Sequence, residues 1–124
     1  MLDFQNGEFL KLRAVDAHDF ESLLGPCLTQ GEQPLYAFRS VRDGVVFTNR
    51  RVIAINVQGV TGKKKEISSL PYRCVQSFAI ETAGIGDIDG ELDLWMSGGK
   101  KVRFEFAMGT KILSLCGALS EFLL

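Results

Sequence analysis

The chain has little of what catalysis, metal binding or membrane insertion requires. It has one histidine, His18, and three cysteines, Cys27, Cys74 and Cys116, which lie far apart and form no CxxC pair. One histidine cannot be assembled into a Ser/His/Asp or Cys/His nucleophile set, so an enzyme is the least expected class. Scattered cysteines in odd number argue against a disulfide framework and a zinc site, and read as small core hydrophobes. No cofactor or metal is expected. No window approaches a membrane span in length. The N-terminal MLDFQNGEFLKLRAV mixes Asp3, Glu8, Lys11 and Arg13 into its apolar residues, unlike a signal peptide. Neither charge sign dominates: 14 Lys and Arg face 15 Asp and Glu, for a net charge of -1. Without a global basic field no nucleic-acid partner is expected, and any polyanion site must be local. These absences point to a cytoplasmic protein, with peripheral attachment to something larger left open.

What is present is β-rich. A chain of 124 residues fits one domain, residues 1–124, that can bury a sizeable core unaided. Residues 1–15 read as an irregular arm. Residues 16–31 form a helical lead-in, in which Asp16 resembles a cap and Phe20, Leu23 and Leu24 share one face before Gly25-Pro26. Seven strands are expected over 35–107: Leu35 to Arg42, Val45 to Phe47, Val52 to Ile55, Lys64 to Ser68, Cys74 to Thr82, Leu92 to Met96 and Val102 to Phe106. Asp43-Gly44 suits a two-residue hairpin turn. Gln58 to Gly62 reads as a flexible tip, and Ala83 to Gly90, with three glycines, as the longest loop. A final helix spans 110–123, where Ile112, Leu115, Cys116, Leu119, Phe122 and Leu123 recur at helical spacing. The fold class is α+β, mainly β: a bent antiparallel sheet or partly open barrel capped by the C-terminal helix, with a short N-terminal helix.

Two pairs of strands differ in pattern. Leu92 to Met96 and Val102 to Phe106 alternate cleanly, with Asp93, Trp95, Arg103 and Glu105 outward. A three-residue Ser97-Gly98-Gly99 loop is needed to set Leu94 beside Val102 and Asp93 beside Arg103. Val45 to Phe47 and Val52 to Ile55 are apolar at both parities and therefore need cover on both faces. Val46, Ile53, Ile55 and Val57, or their opposite-parity neighbours, left together in solvent would form a larger patch than a monomer tolerates. A symmetric self-contact or the N-terminal helix must cover them.

The segments VRDGVVFTNRRVIAINVQGVTGKKKEISSLPYR, ETAG and LDLWMSG closely resemble the bacterial PH (pleckstrin homology-like) domain family, over roughly Asp16 to Leu124. The resemblance implies a PH-like barrel with an added N-terminal helix and a homo-oligomer, possibly ring-forming. It names no activity. Gly44 stands where the family pattern carries a bulkier apolar residue. The long basic loop of phosphoinositide-binding PH domains is missing, so that site is not carried over.

Two basic stretches remain. Lys63, Lys64 and Lys65 offer ammonium groups to a phosphate or an anionic membrane surface, although lysines at a hairpin base more often protect a sheet edge. Arg50 and Arg51 offer an anion clamp, although a turn with exposed charges explains them more cheaply. Asp87 to Glu91 lacks the glycine and glutamate spacing of an EF-hand. The leading expectation is a non-catalytic module that self-associates and serves as a binding scaffold, with another protein as a further partner. The alternative is a peripheral binder of anionic lipid or phosphate headgroups through the basic hairpin.

Overall fold

The computed structural model describes residues 9–85 and 88–124. Two antiparallel sheets face each other. The first contains β1 (Arg13–Val15), β2 (Pro34–Arg39), β3 (Gly44–Thr48), β4 (Arg51–Gln58) and β5 (Lys64–Pro71), in that spatial order. The second contains β6 (Val75–Ile85), β7 (Ile88–Met96) and β8 (Lys101–Ala107). Helix α1 (Glu21–Leu24) continues into a 3₁₀ turn at Gly25–Cys27, and α2 (Ile112–Leu123) closes the chain.

The main core fills the space between the sheets. Phe38 of β2 meets Phe106 of β8 with ring centroids 4.8 Å apart, and Phe47 meets Phe104 edge-on at 6.3 Å. Leu92, Leu94 and Val102 line the same core, and Ile112, Leu115 and Leu119 of α2 close it. The inward parity of β7 and β8 is as the alternation requires. Leu94 pairs with Val102 and Asp93 with Arg103. Gly98 and Gly99 take φ of 95° and 90°, conformations that only glycine adopts without penalty, and this permits the three-residue loop.

The N-terminal arm is an eighth strand that sequence alone did not reveal. Leu12 donates its N–H to the Glu105 carbonyl at 2.9 Å and accepts from the Ala107 N–H at 2.8 Å, while β1 pairs with β2. The arm thus bridges β2 and β8 and joins the two sheets on that side. Phe9 and Lys11 have φ of 60° and 53°, which breaks the period-two pattern of an extended segment. Phe9 and Leu12 are nevertheless fully buried.

Four other expectations change. The β2–β3 turn is the four-residue loop 40–43, not Asp43-Gly44. The Ser40 hydroxyl accepts the Asp43 N–H at 2.9 Å, and the Ser40 N–H bonds the Asp43 carbonyl at 2.9 Å. Gly44 lies within β3, opposite Arg39 and Ile55. Most of the Ala83 to Gly90 segment extends β6 and β7 instead of looping. Gly90 packs so closely that a Cβ there would lie 2.4 Å from the Glu81 carbonyl oxygen, so it marks tight strand approach. The sequence alone puts Cys74, Gln76, Phe78 and Ile80 on one parity, but in β6 a register shift between Val75 and Ser77 leaves Gln76 exposed. Finally, Cys27 is exposed while Cys74 and Cys116 are half-buried, so none is a fully buried core residue.

Candidate functional site

The outer face of β3 and β4 is covered by the chain itself. Val46, Ile53 and Ile55 are at most 2% exposed and form a second cluster with Ala37 and Leu24, against which Val15, Phe20, Leu23 and Leu28 pack. The lead-in is helical over only four residues. The Asp16 side chain accepts the His18 N–H at 2.8 Å, and successive tight turns at Asp19 and Glu21 delay the first α-helical bond to Leu24. The resulting compact coil still places Phe20 and Leu24 over the sheet. Phe20 occupies the room that a side chain at Gly44 would take, since a Cβ there would lie 2.5 Å from the ring. Val46, Ile53 and Ile55, expected as self-association residues, are therefore unavailable to a partner in this conformation. Val57, at the rim, is half-buried.

Arg50 and Arg51 lie at the other end of this outer layer. Glu32, buried to 7% exposure, holds Arg51 through two bonds, Nε to Oε2 at 2.8 Å and Nη2 to Oε1 at 3.0 Å. Arg51 also donates to the Cys27 carbonyl at 2.8 Å. The Thr48 hydroxyl donates to Glu32 at 2.7 Å and accepts the Arg50 and Arg51 N–H groups, both at 3.0 Å. The Thr29 N–H adds a bond to Glu32 at 3.0 Å. Burial alone would raise the Glu32 pKa, but the bonds from Arg51, Thr29 and Thr48 pull it down to about 2. Tyr72 donates to the Thr48 carbonyl at 2.7 Å; burial, and then the Glu32 charge, push its phenol upward. Arg51 is thus the structural partner of a buried carboxylate and not an anion clamp. Arg50 is exposed and donates to the Thr29 hydroxyl at 2.8 Å. Glu32 was missed from sequence because it looked like one more loop acid; its spacing of three residues from Thr29 is the only local signal.

The lysines do not form one patch. Lys63 lies in the 59–63 loop, Lys64 pairs with Gln58, and Lys65 pairs with Val57 on the outer face. Neighbouring strand residues face opposite sides, so Lys64 and Lys65 diverge. Arg51 and Gln58 mark opposite ends of β4, roughly 23 Å apart at strand rise, so the arginines and lysines cannot share a small ligand. Asp87 lies outside the described residues, so the calcium reading of 87–91 has no structural description. His18 is exposed in the lead-in turn.

Two strand edges lack a second ladder partner among the described residues, that of β5 and that of β6. The eleven residues of β6, VQSFAIETAGI, contain no proline, lysine or arginine. Gln76, Ser77, Ala79, Glu81 and Thr82 along it are exposed. On β5, Ile67 is 39% exposed. No helix among the described residues is long and apolar enough to cross a membrane.

A bent, partly open antiparallel barrel capped by a C-terminal helix defines a pleckstrin-homology-like domain. Solved structures agree. The chain is similar to a DUF1696 family protein with a pleckstrin-homology domain from Shewanella loihica PV-4, at 40% identity and TM-score 0.82, covering 93% of this chain and 99% of that one. A pleckstrin homology domain from Shewanella amazonensis SB2B matches at 39% identity and TM-score 0.69, over 89% and 90% of the two chains. The signature of the bacterial PH domain family matches residues 3–123, and the chain belongs to that family. Among Bacillus subtilis (strain 168) proteins, the uncharacterized YozO is 34% identical over 94% of this chain and 97% of its own length. The uncharacterized YjqA is 48% identical over 60% of each chain, so that match spans less than two-thirds of YjqA.

Proposed function

We propose that the chain is a non-catalytic PH-like binding module that assembles with copies of itself through its two unpaired strand edges. The observation that carries this is β6, an eleven-residue edge strand without the proline or lysine that usually blocks edge-to-edge pairing. The β5 edge complements it. If a second copy's β6 added antiparallel to β5 with Val75 opposite Leu70, Lys64 would fall opposite Glu81, pairing opposite charges. One subunit would offer β5 and accept through β6. Such a heterologous contact generates a ring when its rotation closes. This differs from the contact expected from sequence, whose apolar surface is covered by α1. The three unbridged cysteines favour a reducing compartment, the cytoplasm.

Light scattering on the eluting protein tests the proposal. Wild-type protein at micromolar concentration should elute as an oligomer, Lys64→Glu and Glu81→Lys should each shift it toward monomer, and the double swap should restore assembly. A wild-type monomer, or a double swap no better than either single variant, would count decisively against it.

A further inference from the structure

The N-terminal arm is held by few groups and strained along its length. Its anchors are Phe9 and Leu12, both fully buried, with the Phe9 ring centroid 5.3 Å from that of Phe104. Three backbone bonds tie it to β8: the Leu12 N–H donates to the Glu105 carbonyl at 2.9 Å, and the Glu105 and Ala107 N–H groups donate to the Phe9 and Leu12 carbonyls at 3.0 and 2.8 Å. Against these bonds, Phe9 and Lys11 are two of the three non-glycine residues with positive φ among the described residues, a conformation that costs free energy in any residue with a Cβ. On the other side the β1–β2 ladder is only three pairs long, and it sets Arg13 directly opposite Arg39, like charges that repel. A joint lies at Asp16, where extended backbone gives way to tight turns. Swinging out there, the arm would bare the edges of β2 and β8 together with the aromatic wall of Phe38, Phe104 and Phe106.

We propose that residues 9–15 act as a releasable strap, and that the slot it vacates receives the same segment of a second copy, so that copies exchange arms. Every contact of the closed chain is reproduced between copies, with the same two anchors in the same register. Exchange therefore changes which molecule supplies the arm and leaves mainly the entropy of association against it. It uses the β2 and β8 edges and is separate from assembly through β5 and β6.

Native-state hydrogen exchange reads the release. The Glu105 and Ala107 amides point at the arm, whereas those of Phe104 and Phe106 alternate toward β7, so the first two should exchange about a hundredfold faster. Lys11→Gly, at an exposed position, removes one left-handed penalty and should raise their protection about threefold. Cross-linking of full chains reads the exchange. In a Cys27→Ser background, one copy carries Arg13→Cys and the other Arg39→Cys, exposed positions that face each other on the β1–β2 ladder. Both copies also carry Lys64→Glu, so that contact through β5 and β6 adds nothing. Mild oxidation should link the two copies when one arm lies on the other's β2, and the yield should exceed about tenfold that of Arg13→Cys mixed with Lys101→Cys, an exposed position on the second sheet that reports random collision. Equal yields from the two mixtures would show that no arm crosses between copies. Glu105 and Ala107 amides as protected as those of Phe104 and Phe106 would show that the strap does not release. Either result overturns the proposal.

Discussion

The two sheets share one core but differ in what lies on their outer faces. The outer face of β3 and β4 carries Val46, Ile53 and Ile55 beneath the α1 layer, while the outer face of β7 and β8 carries Asp93, Trp95, Lys101 and Arg103 with no layer over it among the described residues. A strand between two layers has no reason to alternate, and a strand between core and water must. The alternation of a strand therefore reports how many layers enclose it. A charge placed on each outer face would break that contrast most sharply. Ile53→Asp buries an unpaired carboxylate and is expected to cost about 4 kcal/mol or more, enough to abolish a cooperative urea transition in a protein of ordinary stability. Ser77→Asp, on the exposed face of β6, should stay within about 0.5 kcal/mol of the parent in the same experiment.

The outer layer is tied to the first sheet by Glu32 and Arg51, and the second sheet has no counterpart among the described residues. Arg51→Met leaves a buried carboxylate without its countercharge, and a loss of about 3–5 kcal/mol is expected at neutral pH. The acid dependence follows from the depressed Glu32 pKa. A folded value of about 2 lies below the ordinary 4.5, so the contribution is fully present above about pH 4.5 and disappears as the pH falls toward 2. At 1.36 kcal/mol per unit this contribution is about 3 kcal/mol. Urea midpoints measured from pH 7 down to pH 2 should therefore converge for parent and Arg51→Met, because a protonated Glu32 needs no countercharge. Parallel curves would show that Arg51 acts through packing alone. A smaller effect separates covering from anchoring. Gly44→Ala drives a methyl group into Phe20 and should cost about 1–3 kcal/mol while leaving the Glu32 contacts in place, read as a lower melting temperature with an unchanged acid profile.

The parts of the fold legible in sequence were those written in one strand and its hairpin partner. Register in β7 and β8 followed from parity and loop length, and the need for a second layer over β3 and β4 followed from their missing alternation. The sequence allowed two covers, a self-contact or the N-terminal helix, and the structure realises the second; the choice did not follow, because Phe20 and Leu24 are close to Val46 and Ile53 only once the chain has folded back. The arm escaped detection because left-handed residues at Phe9 and Lys11 scramble its pattern. Arg51 looked like a surface cation because its partner, Glu32, lies nineteen residues upstream in an unpatterned loop.

The uncovered face of the second sheet supplies the smallest effect and the final check on the layer argument. Arg103 meets Asp93 across β7 and β8 through two bonds, Nε to Oδ1 at 2.7 Å and Nη2 to Oδ2 at 3.0 Å, with Glu91 at 3.5 Å. The bonds from Arg103 hold the Asp93 carboxyl below its ordinary range despite the opposing effect of partial burial. The geometry is as good as that of Glu32 with Arg51, yet the Arg103 side chain is 47% exposed where the Glu32 side chain is 1% exposed. Water competes for every bond in the exposed pair, so a double-mutant cycle with Asp93→Asn and Arg103→Gln should give a coupling of about 0.2–1 kcal/mol, falling further with added salt. A coupling as large as that of Glu32 with Arg51 would mean that something covers this face too, and the contrast between the sheets would fail.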